Sequence, residues 1–275
     1  KMLGRDAFQE TDILDVTMPV TKHNYKIKNA ADLVPTIREA FALARSGRPG
    51  PVLIDVPRNL FFEEVAYTEQ KREERRPGKP DADFAICAAE AAAEIVNAER
   101  PLVIVGGGVI SAGASAQTIA FIEKYKLPVV HTLMGMGGIP STHPQMLGFI
   151  GMHGAKTANY AVGAADLVIA LGSRFADRQT GNLSKFTANR KFIHIDIDPA
   201  EIDKIVGSSI GLAGDMCVIL NLLMRQAPKS DYAAWWQQLH TWQEEFAYDY
   251  HSDALSVPWA LNQVARMTAG KAYAY

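Results

Sequence analysis

The sequence predicts an α/β protein whose centre is a doubly wound parallel sheet, covered by helices on both faces. Short apolar strands alternate with amphipathic helices from residue 84 to about 226, a pattern typical of parallel strands joined by right-handed crossovers. The length of 275 residues suits about two domains or parts of domains. Hydrophobic residues make up 48% of the chain, which excludes a disordered protein because that much apolar surface can build a core.

Charge and composition exclude several classes of protein. The formal net charge of −2 argues against a nucleic-acid binder, which usually carries a basic face. No apolar run approaches the roughly 20 residues that span a bilayer, so no membrane partner is expected. The only cysteines, Cys87 and Cys217, predict a reducing cytoplasm and no disulfide framework. The chain starts at Lys1 without a signal peptide and ends at Tyr275, so we expect an internal piece of a longer protein.

Residues 1–62 are predicted to be the end of one α/β unit. Asn29 is a candidate N-cap for a helix whose apolar positions recur at helical spacing between Leu33 and Ala44. The β-branched run 52–56 predicts a buried parallel strand that ends at Pro57. The mixed charges and prolines of 63–83 predict a surface linker, with an anion site at the arginine pair 75–76 as the alternative.

The central domain is expected to cover residues 84–226. Residues 227–255 are predicted to be a helical linker that carries three of the four tryptophans, at 235, 236 and 242; aromatic residues at helical spacing indicate packing rather than a stacking platform. Residues 256–275 begin a third unit, with a helix near 262–265 and a strand from 271. The strands predicted for the central domain are 101–105, 128–131, 167–171 and 192–197, and the helices are 87–97, 115–126, 157–164 and 216–226.

Polar and glycine-rich segments follow the predicted strands. Gly106, Gly107 and Gly108 come directly after the first strand, where missing Cβ atoms allow a ligand to approach the main chain. Their spacing is not that of the dinucleotide fingerprint, so a tight turn is the alternative. Because ligands of open α/β sheets bind beyond the carboxyl edge, we predict one cofactor groove there. Its other segments are 132–135, 151–154, 172–175 and 196–198.

Each polar residue in this groove has a structural alternative. Asp196 suits a ribose hydroxyl pair, or caps the helix that starts after Pro199. Arg174 and Arg178 can form bidentate hydrogen bonds to a phosphate or stack on a ring. Alternatively, they pair with acidic residues at 166 and 177. A satisfied turn histidine is the alternative for His153. Met134, Met136 and Met152 are expected to be apolar lining. No metal site is predicted, because the histidines lack zinc-ligand spacing, and no nucleophile elbow occurs.

Eight motifs in a fixed order resemble the large catalytic subunit of the acetohydroxyacid synthase (acetolactate synthase) family, which depends on thiamine diphosphate. The resemblance implies that 1–62 belong to a pyrimidine-binding domain, 84–226 to a central FAD-binding domain and 256–275 to the start of a diphosphate-binding domain. Any single motif is weak, but the ordered set covers nearly the whole chain. The motifs are DAFQE at 6–10, TKHNY at 21–25, SGRPGPVLID at 46–55, GGG at 106–108, TLMG at 132–135, GMHG at 151–154, RFADR at 174–178 and HIDID at 194–198.

The resemblance also implies roles for particular residues. Phe8 and Gln9 resemble residues that reach an active site shared between subunits. Arg58 stands where the family usually has a lysine at the mouth of that site, and a guanidinium does not reproduce an ammonium. Ala176 replaces a common acidic residue near the flavin. The implied FAD site consists of Arg48, Gly106, Gly107, Gly108, Thr132, Leu133, Gly151, Met152, His153, Gly172, Ser173, Arg174, Asp177, Arg178, Asp196, Ile197, Asp215 and Met216.

The implied reaction is decarboxylation of pyruvate and attack of the hydroxyethyl carbanion on a second 2-oxo acid, on the route to valine, leucine and isoleucine. The implied cofactors are FAD, which is not turned over, thiamine diphosphate and Mg²⁺. Implied partners are 2-oxo acid substrates, a second subunit in a homodimer or tetramer, and a small regulatory subunit. In this family the thiamine-activating glutamate precedes Lys1 and the Mg²⁺ motif follows Tyr275, so we expect the isolated chain to be inactive.

Two alternatives to this function stay open. Another thiamine-diphosphate carboligase or decarboxylase, such as glyoxylate carboligase, is the alternative among enzymes, because central domains are shared more widely than substrates. A non-catalytic flavin-binding or nucleotide-binding module is the alternative from a different class, because a fold does not fix a function.

Overall fold

The computed structural model describes residues 11–67, 82–228, 231–248 and 255–272. The chain forms two compact units, Lys1–Lys79 and Pro80–Tyr275, which we call unit 1 and unit 2. The predictions for Phe8 and Gln9, and for the part of the linker at 68–81, lie outside the described residues.

Unit 1 contains a pair of parallel strands with its own small core. The strands pair in register from His23 opposite Val52. Ile27, Ala30 and Leu60 are buried together beside them. A short strand at 23–26 was not predicted from the sequence. The elements are α1 (Ile13–Thr17), β1 (His23–Lys26), α2 (Leu33–Arg45) and β2 (Val52–Asp55).

The predicted capping role of Asn29 is wrong. A turn of 3-10 helix at Ala30–Asp32 separates Asn29 from α2. The Asn29 side chain instead donates a hydrogen bond of 3.1 Å to Oδ2 of Asp32, so it closes the turn before the helix. The pattern located the helix correctly but not the turn that precedes it.

Unit 2 contains a six-stranded sheet in which every paired strand is parallel to its neighbours. Its strands are β3 (Pro101–Val105), β4 (Val129–His131), β5 (Met146–Phe149), β6 (Leu167–Leu171), β7 (Lys191–Asp196) and β8 (Ile210–Ala213). Its helices are α3 (Ala82–Asn97), α4 (Gly107–Ser111), α5 (Ser115–Tyr125), α6 (Lys156–Ala164), α7 (Asp177–Thr180), α8 (Leu183–Thr187), α9 (Met216–Leu223), α10 (Ala233–Glu245) and α11 (Val257–Met267).

The strand order is β5-β4-β3-β6-β7-β8, which confirms the doubly wound sheet. The chain runs outward from β3 to β5 and returns to place β6 on the other side of β3. The order therefore reverses between β3 and β6, which pair from Pro101 opposite Leu167. In sheets of this kind the ligand crevice opens at that switch point, beyond the carboxyl ends of the two strands.

The predicted strands in the middle of the sheet are found, whereas both edge strands were missed. Every residue of β3 and β6 is buried, which explains their continuous apolar runs. The edge strands β5 and β8 are only partly buried and contain Gly148 and Gly211. Because they are short and interrupted by glycine, their sequences lack the apolar run that identified the others.

The tryptophan helix α10 packs on the central sheet, which confirms the packing interpretation. Trp235 is buried, and its indole Nε1 donates a hydrogen bond of 3.0 Å to the Pro101 carbonyl. The Trp236 indole donates to the Lys126 carbonyl at 2.9 Å. Because both carbonyls lie just before or at the start of strands, the first turns of α10 lie at the amino edge of the sheet, opposite the predicted groove.

The last described element is α11, which contains the predicted helix at 262–265. The predicted final strand is absent at Lys271 and Ala272, and its remaining residues lie outside the described part of the chain. Among the helices of the described residues, none is both long and apolar enough to cross a bilayer.

Candidate functional site

The predicted groove segments lie at one edge of the sheet of unit 2. The strands are parallel, so the residues that follow them share the carboxyl edge. We call this edge the rim and define it by residues 106–108, 132–136, 151–153, 172–178 and 196–198. The segments at 106–108 and 172–178 follow β3 and β6, the two strands of the switch point.

Glycines at the switch point allow two strand ends to touch. A Cβ added to Gly106 would lie 2.1 Å from the Gly172 carbonyl oxygen, and one added to Gly108 would lie 2.6 Å from the Gly172 Cα. Gly172 itself has a φ of +58°, which favours glycine. The tight-turn alternative therefore explains Gly106 and Gly108. Gly107 is partly exposed and keeps its backbone accessible at the rim.

The rim exposes a group of large apolar side chains. Water-exposed side chains of this size at a strand switch point indicate a surface that a ligand covers. They come from three different rim segments, so no single helix or strand accounts for the grouping. They are Leu133, Met134, Met136, Met152 and Ile197, with exposed fractions of 64%, 71%, 56%, 62% and 40%.

Two arginines on the rim lack the acidic partners that were considered for them. Arg174 and Arg178 are exposed, and neither makes an ion pair with a described residue. The Arg178 guanidinium approaches the Met152 sulfur at 4.0 Å. Asp166 is occupied elsewhere, because its carboxylate accepts hydrogen bonds of 2.9 Å from two backbone amides at 99 and 100. Both guanidinium groups are thus available to an anionic ligand.

Asp196 ends β7 as a buried carboxylate. Its Oδ1 accepts a hydrogen bond of 3.0 Å from the Asp198 amide. The alternative role as a helix cap is wrong, because Asp198 caps the 3-10 turn at Pro199–Glu201 by accepting from the Ala200 amide. The Asp196 side chain therefore stays at the rim, where a carboxylate can accept hydrogen bonds from a hydroxyl pair.

The segment 172–178 is attached to its surroundings at Ser173. The Ser173 carbonyl lies 2.9 Å from Nε2 of His194, and its hydroxyl donates to Oε1 of Gln179 at 3.1 Å. Burial lowers the pKa of the His194 imidazole below its ordinary value. Sequence reasoning did not select Gln179, and a glutamine in a short helix gives no signal for such a contact.

The remaining predicted site residues are more dispersed. Asp215 caps α9 by accepting from the Val218 amide at 3.1 Å, and Met216 is buried in the first turn of that helix. Thr132 caps a turn by accepting from the Gly135 amide. His153 is exposed on the rim, and Gly151, with a φ of +113°, precedes it. Arg48 and Arg58 belong to unit 1.

The rim offers binding groups rather than a reactive centre. Apolar side chains suit planar rings, the arginines suit phosphates, and Asp196 suits a ribose. Together these groups fit a dinucleotide cofactor with a planar ring, such as FAD. Within the described ranges, no group of three or more His, Cys, Asp or Glu side chains could hold a metal ion.

Comparison with known proteins identifies the family to which the central part of the chain belongs. Residues 88–223 match the central domain of the thiamine pyrophosphate enzymes, and the chain belongs to that family. Within the family it is similar to acetolactate synthase large subunits. It is 38% identical to the acetolactate synthase large subunit of Haemophilus influenzae over 99% of its length.

Two relatives from other organisms are also named acetolactate synthases. The chain is 45% identical, over 82% of its length, to the probable acetolactate synthase large subunit of Methanocaldococcus jannaschii. It is 39% identical, over 99% of its length, to acetolactate synthase 1, chloroplastic, of Oryza sativa subsp. japonica. The matched regions cover 49%, 39% and 44% of these three relatives, so the chain spans about half of their length or less.

Proposed function

We propose that the protein containing this chain is an acetolactate synthase that uses thiamine diphosphate, Mg²⁺ and FAD. It decarboxylates pyruvate and joins the remaining two-carbon unit to a second 2-oxo acid, in branched-chain amino acid biosynthesis. The main support is the similarity to acetolactate synthase large subunits along 99% of the chain. When bound, thiamine diphosphate supplies the electron sink for this chemistry.

The role proposed for unit 2 is to bind FAD on the rim. Arg174 and Arg178 neutralise the diphosphate, and Asp196 accepts hydrogen bonds from the ribose. The apolar side chains of the rim, with Met134 and Met152 among them, cover the rings and exclude water from them. The residues at 132, 151, 153, 177, 215 and 216 are also proposed to line the FAD site, as the family resemblance implies.

Roles in catalysis are proposed for three residues outside the rim. The family resemblance assigns Phe8 and Gln9 to an active site shared with a second subunit, and Arg58 to its entrance. Arg48 is proposed as a further FAD-binding residue, on the family resemblance alone. The relatives are named large subunits, which supports assembly with a smaller regulatory subunit in addition to a homodimer or tetramer. Both cysteines are free, in keeping with a proposed cytoplasmic location.

Acetolactate formation from pyruvate tests the proposed function. We expect the product of the complete open reading frame to form acetolactate when FAD, thiamine diphosphate and Mg²⁺ are supplied. The 275-residue chain should form none, since the family resemblance places the thiamine-activating and Mg²⁺-binding groups outside it. Both proteins are assayed in parallel by acetoin detection after acid treatment.

Two control reactions separate the alternatives. Condensation of glyoxylate in preference to pyruvate would indicate a glyoxylate carboligase. No carboligation, together with rapid reversible reduction of a bound flavin, would indicate a redox flavoprotein. An acetolactate-forming rate from the 275-residue chain alone would refute the assignment of the essential groups to other parts of the protein.

A further inference from the structure

His194 is a buried polar side chain that none of the roles above uses. It lies in β7, opposite Ala170 of β6, and is 1% exposed. Its Nε2 is 2.9 Å from the Ser173 carbonyl oxygen. A carbonyl oxygen can only accept, so Nε2 carries the proton. Nδ1 is then an acceptor, and it is buried with no hydrogen-bond partner among the described residues.

The surroundings of His194 favour a neutral ring in one tautomer. Phe175 packs against it with ring centroids 5.0 Å apart. Protonation of Nδ1 would place an N–H group in this buried position without an acceptor, which is costly. The neutral ring therefore donates from Nε2 to one carbonyl group, while Nδ1 stays without a hydrogen-bond partner among the described residues.

The carbonyl that His194 binds belongs to a segment with an unusual backbone. Gly172 has a φ of +58° and Phe175 has a φ of +53°. A left-handed conformation at phenylalanine is unfavourable and persists only where surrounding contacts impose it. Those contacts are the hydrogen bond from His194 to Ser173 and the packing of the Phe175 ring against the stacked rings of Phe186 and Phe192, at centroid distances of 6.0 and 5.8 Å.

This backbone conformation leaves the side chains of two arginines exposed at the rim. Phe175 is buried, whereas Arg174 and Arg178 on either side of it are exposed. The hydroxyl of Ser173 also binds Gln179, the residue after Arg178. Ser173 therefore connects the start of the arginine-bearing segment to Gln179 at its end. His194 in turn connects Ser173 to strand β7 of the sheet.

We propose that His194 is a positioning residue for the flavin site: by donating to the Ser173 carbonyl, it fixes residues 172–178 so that Arg174 and Arg178 are presented at the rim. This inference rests on the proposed FAD site and adds to it a residue that does not touch the flavin. It predicts that His194 affects flavin affinity through the arginines and that a side chain retaining an N–H donor can replace it.

Three variants of the 275-residue chain test this role. His194→Phe keeps an aromatic ring beside Phe175 but removes the donor, and His194→Gln keeps an N–H donor without the ring. His240→Phe is the matched control, because His240 is exposed and contacts Trp236, whose indole binds a carbonyl at the opposite edge of the sheet. FAD affinity is measured by fluorescence titration, and amide hydrogen exchange of residues 172–178 is measured without FAD.

We expect His194→Phe to bind FAD about five- to tenfold more weakly and to exchange the amides of 172–178 faster. His194→Gln should stay within about twofold of wild type, and His240→Phe should be unchanged. In a double-mutant cycle, Arg174→Ala should add little to His194→Phe, because the arginine is already misplaced. Should His194→Phe not fold, His194→Leu, which also lacks a donor, replaces it in every comparison.

Other outcomes would overturn the proposal in distinguishable ways. Additive effects of His194→Phe and Arg174→Ala, or equal losses in His194→Phe and His194→Gln, would mean that His194 contributes only to general stability. Unchanged exchange at 172–178 would mean that it does not fix the segment. If wild type binds no FAD, the proposed flavin site fails, and the exchange measurement still decides whether His194 holds the segment.

Discussion

Replacing Gly106 by alanine should destabilise unit 2 by about 3 kcal/mol or more. The new Cβ would lie 2.1 Å from the Gly172 carbonyl oxygen and 2.8 Å from the Ser173 Cα. Both are backbone atoms at the end of β6, which is fixed in the middle of the sheet and cannot move without breaking its pairing to β3. Urea unfolding followed by far-ultraviolet circular dichroism measures the loss.

Gly163→Ala is the matched control for this substitution. Gly163 lies in helix α6, and an added Cβ would have no atom within 4 Å. Alanine is the better helix former and restricts the unfolded chain, so this variant should be more stable by about 0.5 kcal/mol. Equal stabilities of the Gly106→Ala and Gly163→Ala variants would contradict the close contact between the ends of β3 and β6.

Phe175→Ala is expected to cost about 3–5 kcal/mol of unfolding free energy. The ring is 2% exposed and contacts Phe186, Phe192 and His194. Removing it leaves a cavity in the aromatic cluster beneath the rim, while alanine at the same position keeps the unfavourable positive φ. Thermal unfolding of the variant gives the loss of stability directly.

Two further variants show whether this loss comes from the cavity. Phe175→Leu fills most of the same volume and should cost much less, about 1 kcal/mol. Ile110→Ala removes an apolar side chain that is 46% exposed and should change stability by no more than about 0.5 kcal/mol. A Phe175→Ala variant as stable as Ile110→Ala would show that the aromatic cluster does not anchor the segment 172–178.

Much of the fold could be predicted because buried parallel strands have a distinctive sequence. The runs that form β3 and β6 are apolar at every position, and the glycines after them mark strand ends. The edge strands could not be predicted, since β5 and β8 are half-buried and contain glycine. The error at Asn29 has a different origin. An asparagine that closes a turn and one that caps a helix occur in the same kind of local sequence, so the pattern could not distinguish the two roles.

The site was predicted in outline but not in its internal contacts. Parallel topology alone brings the strand ends to one edge, so the rim could be inferred from the order of segments. The contact of Gly106 with Gly172 joins residues 66 positions apart, and the Ser173 contacts with His194 and Gln179 depend on strand pairing and loop geometry. The cap at Asp198 did have a local signal, because Asp198 directly precedes Pro199 and proline favours the first helical position.

Methionine oxidation with and without FAD tests directly whether the flavin lies on the rim. Met134, Met152 and Met267 are exposed by 71%, 62% and 85%, and hydrogen peroxide oxidises accessible thioethers. Because α11 is not part of the rim, Met267 is an internal control. We expect saturating FAD to slow the oxidation of Met134 and Met152 and to leave that of Met267 unchanged. Retention of FAD with all three oxidation rates unaltered would show that the flavin does not lie on the rim.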